Sequence, residues 1–431
     1  MVQFRDPVHG FIDVTEDELK IINSAPFQRL RFIRQLATTY LVYHGAEHTR
    51  FGHSLGVMHL TSRVFDSVVA KVPNIFSDDR EENEILCKWY RQILRLIGLT
   101  HDLGHAPFSH ASEELFAEGR KHEDYTKEII YETEIAAYIN EIGLKFQREY
   151  GEAYKITPEI IWLIYEGKKI TDDEFVMPDF LFLHSFMDGE LDCDKMDYLL
   201  RDSHYCGVTY GQYDLNRFVS TLTAYKVKEE NILQLAIERG GVQALEEFVL
   251  ARYFMFIQVY FHKTRRYLDK LLVKNMQLVL PDKKYPIHVK GYLQWDDNRA
   301  LQAISKLGAD NAFLNRDVMT CVHESRPHAD EYEEKNAKII FDSLRKRYGE
   351  KVEYDHVDKE AHKLMPALFS RQDDSGKEIM ILNSKTGEIR NIMEESVVLE
   401  SITRPISIQR LYADKSIRGD VIRDISDLLN L

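Results

Sequence analysis

The chain has 431 residues, with 70 acidic against 56 basic side chains and a formal net charge of −14. Hydrophobic residues make up 44% and charged residues 29%, an ordinary globular composition with length enough for two or three domains. The acidic balance argues against broad wrapping of DNA or RNA, which needs a basic surface, but leaves room for a small anion in a local basic pocket.

No stretch approaches the run of ~18–20 apolar residues that a membrane helix needs, and the N-terminus lacks the apolar core of a signal peptide. The expectation is a cytoplasmic protein. Cys87, Cys193, Cys206 and Cys321 are scattered with no CxxC pair, so they read as small hydrophobes in a reducing compartment rather than as zinc ligands.

From the N-terminus, Thr15 and Glu18 form a capping-box pattern ahead of an apolar run, and Ser24 with Pro26 marks a second helix start leading into FQRLRFIRQL. Helical spacing recurs through Leu55, Met58, Phe65 and Val68 and again through Ile85, Trp89, Ile93 and Ile97, with residues 77–84 as a solvated loop between. Residues 245–272 form one more long helical pattern. After about residue 280 the texture changes: PIHVKGYLQW, KVEYDHV and IMILNSKTGEIRNI read as strands, the last as two strands around a glycine turn, with helices at 332–348 and from about Asp420. The expected fold is mostly α, a helical core over residues 1–280 followed by a smaller α+β region over 281–431 serving assembly or regulation.

Eight of the 17 histidines fall between His44 and His122, less than a fifth of the chain. Imidazole is the commonest metal ligand and titrates near neutral pH, so the cluster points to a metal site, a general acid–base site, or both. In LTHDLGHAPFSH, residues 99–110, His101 and Asp102 offer a nitrogen and a carboxylate side by side at the end of an apolar helix. His105 and His110 follow, and His53 in RFGHSLG opens an amphipathic helix behind Arg50. In LDCDKMDYLLRD, residues 191–202, helical spacing puts Asp194, Tyr198 and Arg201 on one face and Lys195, Tyr198 and Asp202 on an overlapping one. Two histidines and two carboxylates would leave open positions on a divalent ion, where water can be activated toward phosphorus; Mn, Mg, Fe, Ni and Zn all remain open. A third segment, VLARYFMFIQVYFHKTRRY, places Arg252, Tyr260 and Lys263 along one side of a helix, a basic and aromatic surface suited to a nucleotide.

Taken in order, RFGHSLG, THDLGHAPFSH, KHE, LDCDKMDYLLRD and the Arg252–Tyr260 segment resemble the HD-domain phosphohydrolases, and more narrowly the SAM-and-HD-domain deoxynucleoside triphosphate triphosphohydrolases. RDPVHGFIDV, QRLRFIRQL and GAEHTRFGHSLGV extend the likeness over roughly residues 4–275, in a stand-alone prokaryotic-type form without a SAM domain. The resemblance implies an HD-domain helical core and metal ligation by His53, His101, Asp102 and Asp194. It implies that Arg50, Lys195, Tyr198 and Arg252 contact a triphosphate, that His110, His122 and His105 sit along the phosphates, and that His110 is the acid for the leaving 5′-oxygen. Gln35 and Asp202 would hold the sugar 3′-hydroxyl, and Leu36 with Tyr260 would crowd C2′. The implied reaction is water attack on the α-phosphorus of a dNTP, releasing deoxynucleoside and triphosphate. The resemblance further implies a homo-oligomer, with a tetramer favoured, and an activating nucleotide (dGTP or GTP) held through Gln28 and Arg31; Asn23 replaces a carboxylate of that effector pattern. The alternatives are an HD site acting on a nucleotide monophosphate, a cyclic dinucleotide or a guanosine polyphosphate, and a nucleotide sensor with vestigial catalysis.

Overall fold

A computed structural model describes residues 1–117, 119–168, 177, 179–227, 232–359, 379–402 and 405–429. The chain opens with an antiparallel hairpin, β1 (Val2–Asp6) and β2 (Gly10–Val14), followed by α1 (Glu16–Ile22). The capping box at its start is present: Glu18 N donates to Thr15 Oγ1 and Thr15 N to Glu18 Oε2. Glu18 is fully buried because its carboxylate also takes Arg95 in a two-pronged pair, Nε to Oε1 at 2.6 Å and Nη2 to Oε2 at 2.7 Å.

The periodic apolar runs form α2 (Arg50–Lys71) and α3 (Arg80–Thr100), packed on one another. The intervening loop is shorter than expected, because Asp79 accepts from Glu82 N and starts α3 inside the acidic patch. Next come α4 (His122–Glu132) and α5 (Cys193–Cys206). A second hairpin, β3 (Leu222–Val227) with β4 (Ile232–Glu238), lies inside the stretch read as helical. The long pattern at 245–272 is not one helix. It divides into α6 (Val242–Met255), a π turn at Phe256–Tyr260, and α7 (Lys263–Val279), which starts anew where His262 Nδ1 accepts from Thr264 N. Likewise the helix begun at Ala25 runs only to Arg29, with a 3₁₀ turn at Leu30–Phe32, before Ile33 turns extended.

The rest of the chain supplies β5 (Thr320–Glu324), α8 (Glu331–Tyr348), β6 (Val352–Lys359), β7 (Met380–Leu382), β8 (Ile389–Asn391), β9 (Ile406–Ala413) and α9 (Arg418–Leu429). The glycine turn between β7 and β8 is real, with Gly387 at φ 72°. PIHVKGYLQW, in contrast, is not a strand: Val289–Tyr292 is a short helix whose Val289 and Tyr292 are buried. The result is the expected mostly α fold with an HD-type helical core and a smaller α+β part.

Packing does not follow the texture change near residue 280. The main apolar core, built on residues such as Leu55, Val64, Ile97 and Leu199, takes in Tyr292 and Ile304, and β7 pairs in parallel with β4 in the sheet ordered β3–β4–β7–β8. A separate small core forms where α8 and α9 pack beside the sheet ordered β5–β9–β6, around Leu344, Leu411 and Ile425. All four cysteines are free thiols, and among the described residues no helix is long and apolar enough to cross a membrane.

Because Glu18 both caps α1 and neutralises the buried Arg95, Glu18→Ala leaves that charge uncompensated. The expected loss is about 3–5 kcal/mol of unfolding free energy, read from urea denaturation; a midpoint equal to the parent's would contradict it.

Candidate active site

Three helix ends bring the chemistry together. His53 stands in the first turn of α2, His101 and Asp102 follow the last turn of α3, and Asp194 lies in the first turn of α5, where the Asp192 side chain accepts from Lys195 N and sets the helix start. His53 Nε2 lies 2.9 Å from Asp194 Oδ1 and 3.5 Å from Asp102 Oδ2; His101 Nε2 lies 3.4 Å from Asp102 Oδ1 and 3.7 Å from Asp194 Oδ1. Both Nε2 atoms are buried and have no hydrogen-bond partner.

The opposite ring edges explain this. His101 Nδ1–H donates to the Gly98 carbonyl at 2.8 Å, and His53 Nδ1–H to Asp197 Oδ2 at 2.8 Å. Each ring is thereby held with its Nε2 lone pair facing the carboxylates, the arrangement that metal-binding histidines use. Burial alone would lower the His53 pKa, yet the facing carboxylates of Asp194 and Asp197, with Asp102 nearby, push it up to about 10. The centre thus favours an added positive charge. Two orphaned imidazole nitrogens and two carboxylates fit a divalent cation of the mixed nitrogen/oxygen class, and His53, His101 and Asp102 alone already converge well enough to hold one.

Behind the centre, Asp197 ties three parts of the chain. It accepts from Arg201 Nε at 2.8 Å and Nη2 at 3.0 Å, faces His9 Nε2 at 2.6 Å, and holds His53. Arg201 also reaches Asp6 on β1 at 2.9 Å. Gly56 is required by this packing, since a Cβ there would lie 1.9 Å from Asp197 Oδ1. The predicted face of α5 therefore splits: Asp194, Lys195, Tyr198 and Asp202 line the cleft, while Arg201 turns inward.

The cleft encloses about 1460 Å³ and is lined by Gln35, Leu36, Arg50, His105, His110, His122, Arg252 and Tyr260 as well. Three of the cations in it already stand against carboxylates. Arg50 Nη1 pairs with Asp102 at 2.6 Å and its Nε donates to Ser109, Lys195 Nζ is bonded to Asp192 and to the Gly189 carbonyl, and Arg252 lies 3.9 Å from Glu190 with its own Nε unpartnered. Arg252 and Tyr260 share the cleft but not a helix, the π turn intervening. Tyr260 Oη donates to Asp202 Oδ2 at 2.7 Å, and His48 Nε2 lies 2.8 Å from Asp202 Oδ1. Gln28 and Arg31 lie outside this lining; Arg31 Nε donates to Gln28 Oε1 at 2.9 Å and its guanidinium covers the Phe51 ring.

Sequence reasoning missed Asp197, His48, His9 and Glu113. The i,i+4 spacing of Asp197 and Arg201 was available as a signal for the first. Glu113 stands three residues from its partner His110, a local spacing that was also available, whereas His9 and His48 meet their partners only through the tertiary fold.

The HD domain family model matches residues 50–164, and that of the HD associated region matches 213–318. An uncharacterised protein of Bacillus subtilis, YwfO, is 30% identical over 97% of this chain and 93% of its own length. The chain belongs to the HD-domain phosphohydrolase family. A solved hypothetical protein from Aquifex aeolicus matches this HD phosphohydrolase with a TM-score of 0.74 and 32% identity, over 98% of this chain and 99% of the other. The deoxynucleoside triphosphate triphosphohydrolase SAMHD1 of mouse is 28% identical over 85% of this chain, which spans 58% of the mouse protein's length. Membership carries the coarser activity, metal-dependent phosphohydrolysis.

If Asp197 holds the ligand edge of His53 in place, Asp197→Asn weakens metal binding by about 10–100-fold while the fold persists through the Arg201–Asp6 pair. Calorimetric titration of the metal-stripped protein measures this, and an unchanged affinity would remove Asp197 from the metal centre.

Proposed function

We propose that the chain hydrolyses deoxynucleoside triphosphates to deoxynucleoside and triphosphate. What carries this reading is the corner of the cleft beside the His/Asp centre, where the Tyr260–Asp202–His48 chain stands against Gln35 and Leu36. Gln35 Oε1 is buried without a partner, and Asp202 retains lone pairs beyond those already used. Together they would take a 3′-hydroxyl, while Tyr260 and Leu36 leave little space for a 2′-hydroxyl. The deoxynucleoside triphosphate triphosphohydrolase activity of the SAMHD1 relatives supports the same substrate class.

His53, His101, Asp102 and Asp194 would hold the divalent ion, which supplies Lewis acidity and an acidified water. Arg252, with its free Nε, draws the triphosphate in; Arg50 and Lys195, pre-paired with carboxylates, add charge along the same wall and Tyr198 a hydroxyl. Water attacks the α-phosphorus, the bond to the 5′-oxygen breaks, and His110 delivers a proton to that oxygen as deoxynucleoside leaves. His122 and His105 flank His110, with ring centroids 5.7 and 4.8 Å from it. In the same reading the enzyme is cytoplasmic and assembles as a homotetramer. A guanine nucleotide (dGTP or GTP) bound through Gln28 and Arg31 activates it.

The test is incubation with each dNTP and NTP plus Mn²⁺ or Mg²⁺, with and without dGTP or GTP, and separation of products. Deoxynucleoside with tripolyphosphate is expected; monophosphate with pyrophosphate, or turnover confined to cyclic dinucleotides or guanosine polyphosphates, would overturn the assignment. Asp102→Ala should lower kcat/KM by about a thousandfold or more, several kcal/mol of transition-state stabilisation being lost with the ion.

A further inference from the structure

A carboxylate outside the cleft lining joins two of the loops that shape the cleft. Asp297 opens the helix Asp297–Ser305 and is 1% exposed. Its Oδ1 accepts from the Phe108 amide at 2.7 Å, and its Oδ2 from the Arg34 amide at 3.0 Å with Arg34 Nη1 at 3.4 Å. Phe108 leads into the 3₁₀ segment Ser109–Leu115, which carries His110, and Arg34 precedes Gln35 and Leu36. One side chain thus holds the proton-donor loop and the sugar-corner loop together.

The carboxylate is not spent on its own helix. Asp296 caps that helix, its side chain accepting from Arg299 N at 2.8 Å, so Asp297 is left to face the two loops. Phe108 and Ser109 need such a hold, because they take left-handed φ values of 59° and 51°. A turn of that kind in residues with a Cβ persists only where its surroundings impose it. The bond from the Phe108 amide to Asp297 is one constraint, and the buried Phe108 ring, set edge-on to Phe313 at 6.3 Å, is another. Ser109 Oγ then donates to the Arg34 carbonyl at 2.6 Å while accepting from Arg50 Nε at 2.7 Å. The Arg34 main chain is therefore held at its N–H by Asp297 and at its C=O by Ser109.

Other residues just before Asp297 grip the HD loop as well. Tyr292 Oη donates to the Gly104 carbonyl at 2.5 Å, and Tyr285 Oη to Ser112 Oγ at 3.0 Å. Arg29 gathers the carbonyls of Leu103, His105 and Trp295. These contacts hold the HD loop; the Asp297 carboxylate spans it and the Gln35 loop. Burial pushes the Asp297 carboxyl up to about 6, against the pull of the Arg34 and Phe108 amides and the Arg34 guanidinium. At neutral pH it is ionised, and both oxygens accept charge-assisted bonds, about twice as strong as neutral ones.

We infer that Asp297 is a positioning residue, setting the loop of the leaving-group acid His110 in register with the Gln35–Leu36 corner. The chemistry of those two loops rests on the function proposed above; the grip of the carboxylate on both does not. An asparagine there has one accepting and one donating end, so it serves one amide and turns its NH₂ on the other. The two loops then shift relative to one another, and a misplacement of about an ångström costs up to about a hundredfold in rate.

The experiment compares full-length Asp297→Asn with the parent in two measurements. Hydrogen–deuterium exchange read by mass spectrometry needs no substrate. Uptake is expected to rise in peptides covering residues 30–36 and 103–115 and to keep its parental level in α2, α3 and α5. With a dNTP, kcat falls by about tenfold to a hundredfold. KM changes far less, because the metal ligands and Arg252 keep their places, and the preference for dNTP over NTP narrows. A mere loss of folded enzyme would lower kcat and leave that preference untouched. In a double-mutant cycle, His110→Ala costs much less beside Asp297→Asn than in the parent, because both act through one group. Asp297→Ala, which removes both acceptors without a misdirected NH₂, repeats the pattern where the Asn variant folds poorly. Unchanged uptake in both loops, uptake raised throughout the core, or a cycle whose two losses simply multiply overturns the inference. Local loosening in a protein whose parent turns over no dNTP would uphold the positioning and reject the substrate assignment, whereas dNTP turnover with unaltered exchange would do the reverse.

Discussion

The buried carboxylate of Asp197 is the constraint on which the rest of the site depends. Its two oxygens face Arg201, His9 and His53, three groups from a helix, the N-terminal hairpin and a second helix. A carboxylate so deep is tolerable only because Arg201 neutralises it and every oxygen is bonded. Once satisfied, it fixes which edge of His53 faces the metal position. The RDPVHG hairpin is thereby part of the site's foundation, since Asp6 and His9 close the same network.

Local signals made the ligands readable and left their supports hidden. His53, His101, Asp102 and Asp194 each sit at a helix end, where the histidine cluster and helical spacing marked them as candidates, and the motif resemblance joined them into one candidate ligand set. Asp197 shares α5 with Asp194 but points away from the cleft, and only the i,i+4 relation to Arg201 hinted at its role. His9 and His48 reach Asp197 and Asp202 across 188 and 154 residues of chain, a separation no periodicity can bridge. The fold errors share this cause. The β3–β4 hairpin looked helical in apolar content because one face of it is buried in a helical core, and α6 and α7 looked continuous because a π turn interrupts the path of the backbone without interrupting the apolar pattern.

Net charge also reads differently once the side chains are paired. The −14 of the whole chain describes a solvated surface. Inside the cleft, Arg50, Lys195 and Arg252 each stand near a carboxylate, from Asp102, Asp192 and Glu190. Pre-pairing keeps buried cations from being stranded without a ligand, at the cost of a weaker pull on any anion that arrives. A polyanion must then be attracted by what the pairs leave over: the unpartnered Arg252 Nε, and the positive charge that the His/Asp centre is built to accept.

The C-terminal region enters that same balance. Glu353, His356 and Val357 of β6 border the cleft, and Lys270, Arg266 and Lys274 of α7 spend their charge on Asp355 and Glu353 across it. The cationic ends of these pairs are 29–57% exposed, so water and salt reach them although Asp355 itself is buried, whereas both partners of the Arg201–Asp197 pair are buried. The charge pairs of the cleft are therefore fully buried at its His/Asp end and partly screened by solvent at its outer wall. Chemistry requires the first property, because ligand atoms must hold their places; admitting and releasing a highly charged molecule requires the second.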